Sequence, residues 1–104
     1  MDTTLDIEFA QKSESIVAQF GFKDLKSFVK NQALLMLMAK IEKYVAENKC
    51  FEAKYALSFD KFQSKIEGLR NEEIFEEEDD YLDWRFAREA ADRLIRQKQG
   101  LESA

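Results

Sequence analysis

The sequence predicts an all-α protein built as a long-helix homodimer, with C-terminal helices and room for a short N-terminal β-strand. Three observations carry this. Pro is absent and Gly occurs only at 21, 68 and 100, each after a plausible helix end. A ridge of residues, Leu34, Leu37, Ile41, Tyr44, Asn48, Phe51 and Tyr55, recurs at alternating intervals of 3 and 4, the spacing of a seam that faces another helix. In the final segment Asp79, Asp80 and Asp83 precede Arg93, Arg96 and Lys98, which complements a helix dipole.

Residues 4–9 alternate polar and apolar, with Leu5, Ile7 and Phe9 on one side, and read as a strand. A short helix follows, with Ser13 as its N-cap, Ile16, Val17 and Phe20 as its stripe and Gly21 at its end. Asp24 caps the next helix, which turns apolar on every side around Leu34–Ala39. Extended to Tyr55, that helix would measure roughly 48 Å, against a radius of gyration of about 13 Å for a compact chain of this size. A second copy is the simpler way to cover its ridge; the alternative is a break near Glu47-Asn48-Lys49 and a monomeric bundle. Ser58 caps a third helix carrying Phe59, Phe62 and Ile66 on one face, and the last helix runs from about Asp80 to Gln97. Residues after Gly100 should fray. The chain divides into a dimerisation region, 1–57, and a C-terminal arm, 58–104.

Composition excludes several functions. The 104 residues contain no His and a single Cys, so the commonest general base and metal ligand and any internal disulfide are lacking. The dispersed glycines make no phosphate loop. The reading is a non-enzyme without a cofactor or metal. Met1–Thr4 lacks the basic start of a secretory signal and no apolar run is long enough to span a bilayer, so a cytoplasmic protein is expected, with no membrane partner.

Candidate binding residues gather at the start of the last helix. Glu76, Glu77, Glu78, Asp79 and Asp80 form an unbroken acidic run suited to a basic partner, or to a plain solvated helix start. Tyr81, Leu82, Trp84 and Phe86 follow as candidate anchors. In an ideal helix Leu82, Phe86 and Ala90 line one side while Trp84, Ala87, Ala91 and Leu94 line another; one side packs on the chain, unless both are core. At least one aromatic should be exposed, and Trp84, the only Trp, should report this by red-shifted fluorescence. For nucleic acid, only Lys23, Lys26 and Lys30 offer phosphate contacts, and the outward strand residues Asp6 and Glu8 oppose them.

Gly21-Phe22-Lys23-Asp24-Leu25-Lys26-Ser27-Phe28-Val29-Lys30 resembles the turn and second-helix start of ribbon-helix-helix proteins. Phe51-Glu52-Ala53-Lys54-Tyr55-Ala56-Leu57-Ser58-Phe59-Asp60-Lys61-Phe62, with Asp83-Trp84-Arg85-Phe86-Ala87 downstream, is similar to small prokaryotic antitoxin-like proteins, which often carry a Tyr-Gly-Met-Ser-Phe-Glu-Glu-Phe block and then an acidic segment with a Trp. The resemblance implies an antitoxin of a type II toxin–antitoxin module, with an N-terminal dimerising part and a C-terminal arm that neutralises a basic toxin, commonly an RNase. A ribbon-helix-helix transcriptional regulator and a structural helical module are the alternatives. Two departures stand out. Ala56 replaces the family's Gly, so the helix is expected to run on to Ser58, and the acidic strand disfavours operator binding.

Overall fold

The computed structural model describes residues 3–69 and 74–104; the side chains of Thr3, Thr4 and Leu5 and the link at 70–73 lie outside the described part. Four helices and no strand occur among the described residues: α1 (Thr3–Gln19), α2 (Leu25–Tyr55), α3 (Phe59–Gly68) and α4 (Phe75–Glu102). The chain divides into two compact units, Met1–Met36 and Leu37–Ala104, rather than at 57/58, because the second half of α2 shares a core with α3 and α4.

In the unit Met1–Met36, residues 4–9 are helical and not extended. A lone strand would leave its backbone N–H and C=O groups without partners, whereas a helix satisfies them internally. Ser13 accordingly lies inside α1 and caps nothing. The helix ends in a Schellman arrangement: the Phe22 N–H donates to the Val17 carbonyl and the Gly21 N–H to that of Ala18, at 3.1 and 3.2 Å. Gly21 takes the positive φ, +92°, that this closure requires. Asp24 caps α2 as its sequence position suggests, Oδ1 accepting from the Ser27 N–H at 2.8 Å. Phe22 and Phe28 meet edge to face at 5.2 Å. Among the described residues of this unit only Val17 is buried, while Ile7, Phe9, Ile16, Phe20, Val29, Leu35 and Met36 are exposed.

Helix α2 is continuous through 47–49. It stops at Tyr55, earlier than the loss of the family's Gly suggested. Ala56 itself adopts the left-handed conformation, φ 53°, and breaks the helix at some cost in strain. Ser58 then caps α3, its Oγ accepting from the Lys61 N–H at 3.3 Å.

The unit Leu37–Ala104 is built on aromatic packing. Phe59, Phe62 and Trp84 form the buried cluster, flanked by Phe51, Tyr55, Leu57, Ile66 and Tyr81. Helix α4 starts at Phe75, five residues before the expected Asp80, so the acidic run occupies its first turns. It also continues past Gly100 to Glu102 instead of fraying. The Ser103 hydroxyl donates to the Gln99 carbonyl and the Ser103 N–H follows suit, which closes the last turn.

Candidate functional site on helix α4

The two faces of α4 have separate tasks. Trp84 and Ala87 are fully buried, and Ala90 and Ala91 nearly so. The Trp84 indole stacks on Phe51 at 5.6 Å and meets Phe59 and Phe62 at 5.5 and 5.3 Å. Its N–H donates to Asn48 Oδ1 at 2.6 Å, and the Asn48 amide donates in turn to Glu52. Every polar atom of this buried ring system therefore has its partner. Trp84 is core, not an exposed anchor: its indole packs against Phe51 of α2 and against Phe59 and Phe62 of α3. Tyr81 is half-buried, stacked on Phe59 at 5.7 Å, and accepts from Gln63.

The ridge of α2 is also reassigned. Tyr44 touches Phe86, Asn48 and Phe51 hold Trp84, and Tyr55 packs on Phe62 at 4.3 Å. These four residues, expected at a dimer seam, face the chain's own α3 and α4. Ile41 lines a shallow groove with Ile95, again on α4. Leu37 and Leu34 are half-buried at the other end of the ridge.

Two carboxylates of the acidic run are internal fittings. Lys54 Nζ lies 2.6 Å from both Glu76 Oε1 and Asp80 Oδ2, and the Tyr55 hydroxyl donates to Asp80. Burial pushes the Tyr55 hydroxyl up to about 12, helped by the bond to Asp80. Burial acts on Asp80 in the opposite sense to its bonds; desolvation raises it, but the hydrogen bonds from Lys54 and Tyr55 together hold it below its ordinary value. Bonds to Asp80 and Glu76 raise Lys54.

What remains outward is a stripe. Phe75, Leu82 and Phe86 are 70%, 52% and 57% exposed, and their spacing of 7 and 4 places them on one side of α4. Glu78, Asp79, Asp83 and Glu89 are exposed around them, and Glu77 is half-buried. Phe86 opens onto a groove whose other walls are Ala46, Glu47, Cys50, Phe51 and Asp83. Sequence reasoning missed Phe75, Asp83 and Glu89. The spacing 75, 82, 86 was visible, but only a helix starting at Phe75 gives it meaning.

Comparison with protein-family models, characterised proteins and solved structures finds no match. Among the described residues no helix is long and apolar enough to cross a membrane. Lys23 and Lys26 lie exposed beside Asp24 at the start of α2, with Lys30 half-buried one turn on, and no ribbon strand accompanies them among the described residues. The Ser27 backbone N–H, then the Ser27 side chain, hold Asp24 below its ordinary value, so this lysine group carries a fixed negative charge in its midst.

Proposed function

We propose that this chain is a non-catalytic binding protein that captures a basic protein partner on the outer face of α4, as an antitoxin captures a toxin. One observation carries the reading: three large apolar side chains stay exposed among carboxylates on a helix whose opposite face is already filled. Apolar anchors set mainly among carboxylates, with Arg85 paired to Glu89 beside them, favour a partner with apolar side chains and a basic surface. The anchors are Leu82 and Phe86, with Phe75 added; Glu78, Asp79 and Asp83 supply long-range attraction. The unit that carries them holds sixteen acidic and twelve basic residues, which supports steering of a cationic protein. An RNase is the partner class that the resemblance to antitoxins implies. The reading includes a homodimer, though not through the part of the α2 ridge that faces α4.

The test uses the product of the adjacent reading frame, co-expressed with this chain. A small basic protein that binds it, with affinity falling as salt rises, is expected. Leu82→Asp with Phe86→Asp should weaken that complex at least 30-fold, about 2 kcal/mol on the scale of interface hot spots. A double variant that binds as well as the wild type removes the outer face of α4 from the interaction.

A further inference from the structure

Within the unit Leu37–Ala104, a groove of about 450 Å³ opens between α2 and α4. Its walls are of two kinds. Phe51, Phe86, the Ala46 methyl and the Cys50 thiol are apolar, while Glu47 of α2 and Asp83 of α4 are carboxylates. Both rings are held in place: Phe51 stacks on Trp84 at 5.6 Å, and Phe86 meets Tyr44 edge to face at 5.9 Å. None of the lining side chains is basic. Of the bases nearby in sequence, Lys43 lies over the Tyr44 ring, Arg85 pairs with Glu89, and the exposed Lys49 is outside the lining. Asp83 has no base one turn away on its own helix, since Asp79, Asp80, Phe86 and Ala87 hold those positions. Glu47 and Asp83 accordingly have neither an ion pair nor a hydrogen bond among the described residues.

We propose that this groove receives an arginine side chain of the basic partner, its stem along Phe86 and Cys50 and its guanidinium between Glu47 and Asp83. The proposal rests on the reading of α4 as the partner surface and adds α2 to that surface. Two unpaired carboxylates beside apolar walls attract a cation more strongly than the same charges in open water. Aromatic walls narrow the choice of cation. A guanidinium is planar and weakly hydrated, stacks on rings, and carries five donors in a fork that can serve two carboxylates at once. An ammonium is compact and strongly hydrated, so it gains less from Phe86. A divalent cation needs several oxygen ligands, and no group of three or more candidate ligands occurs among the described residues. The surplus of carboxylates in this unit disfavours a second copy of the chain as the source of the arginine.

Alkylation of Cys50, the only cysteine, by neutral iodoacetamide reads the occupancy of the groove in the full chain. N-acetylarginine amide should slow it. N-acetylcitrulline amide, of the same shape without the charge, should not, and N-acetyllysine amide should need a higher concentration. Glu47→Gln with Asp83→Asn should weaken the arginine probe at least about tenfold, the size of one hydrogen bond to a charged group. Glu67→Gln with Asp92→Asn removes the same charge outside the groove and should barely change it. Unaltered Trp84 emission in both double variants would show that the core is kept. Equal protection by the citrulline or lysine amide, no protection by the arginine amide, or arginine protection that survives Glu47→Gln with Asp83→Asn each overturns the proposal. A Cys50 rate that falls as the protein alone is concentrated also overturns it, by putting a second copy in the groove. Failure here is separable from failure of the α4 reading. A basic partner that needs Leu82 and Phe86, without arginine protection of Cys50, removes the groove alone; arginine protection beside an adjacent-frame product that does not bind upholds the groove and removes that reading.

Discussion

The units Met1–Met36 and Leu37–Ala104 dispose of apolar side chains in contrasting ways. The second packs Phe59, Phe62 and Trp84 into a closed cluster and leaves a stripe, Phe75, Leu82 and Phe86, on the outside of α4. The first buries Val17 among its described residues and leaves Phe9, Ile16 and Phe20 outside α1. The two stripes have the same spacing, so periodicity cannot tell them apart. Their surroundings can. One lies mainly among carboxylates, with Arg85 and Arg93 beside it, on a helix that already has a core, and the other is charge-balanced on a helix that has almost none. The first condition suits a foreign basic partner; the second leaves apolar surface that its own unit does not cover.

The largest effect should come from removing the residue that makes the two units unequal. Trp84→Ala should cost about 3–5 kcal/mol in urea denaturation, as truncation of a buried aromatic does. Phe20→Ala, equally aromatic but exposed, should leave the transition of the Trp84 signal within about 0.5 kcal/mol of the wild type. A loss below 1 kcal/mol for Trp84→Ala would dissolve the contrast between the units. Wild-type Trp84 emission should be blue-shifted and protected from quenchers, the reverse of what its place beside an acidic run suggested.

A smaller effect separates the stripes. Ile16→Asp should spare partner binding, which Leu82→Asp with Phe86→Asp should abolish. Loss of partner binding in Ile16→Asp would mean that the surfaces are one.

Acid and base should act on the C-terminal unit through Asp80 and Tyr55. Asp80 is held below its ordinary value, so its contribution is present above about pH 4 and is lost as pH falls through the lowered value. Tyr55 is raised, so its contribution is complete below about pH 10 and disappears as pH rises toward about 12. Asp80→Asn should flatten the acid limb of a stability–pH curve read from urea midpoints; an unchanged acid limb would show that other carboxylates control it.

The smallest effect concerns the turn between α2 and α3. Ala56→Gly relieves a left-handed alanine and should stabilise the C-terminal unit by up to about 1 kcal/mol, net of the entropy that glycine adds to the unfolded chain. Calorimetry showing destabilisation would contradict a strained turn.

Three helix ends were legible because their caps are local: Gly21, Asp24 and Ser58 each act where their neighbours place them, whereas Ser13, Gly100 and the start of α4 misled. The ridge from Leu37 to Tyr55 was legible as a seam but not as to what fills it, since intervals of 3 and 4 describe one helix and say nothing of its neighbour. Both sides of α4 were equally legible around Trp84 and Phe86, and only the aromatic cluster from α2 and α3 decides that Trp84 faces inward. Residues 4–9 misled for another reason. Six alternating residues suit a strand, yet a strand exists only with a paired neighbour, and the continuation from Phe9 to Ile16 and Phe20 favours a helix. Ala56 gave no signal, because its conformation comes from the chain having to turn there.

Asn48 is the one amide on the face where α2 meets Trp84, and its bond to the indole has a consequence for alignment. Aromatic rings slide over one another with little change in energy, so a purely apolar seam would tolerate α4 shifted by a turn along α2. Such a shift would strand the indole N–H and the Asn48 carbonyl oxygen in an apolar layer, at about 1–3 kcal/mol for each unsatisfied group. A polar pair of this kind selects a single register from several that packing alone leaves close in energy, as a lone Asn does in a coiled coil. It therefore also fixes which residues of α4 turn outward. An Asn48→Leu chain could pack well and still present Leu82 and Phe86 as a mixture of displaced surfaces.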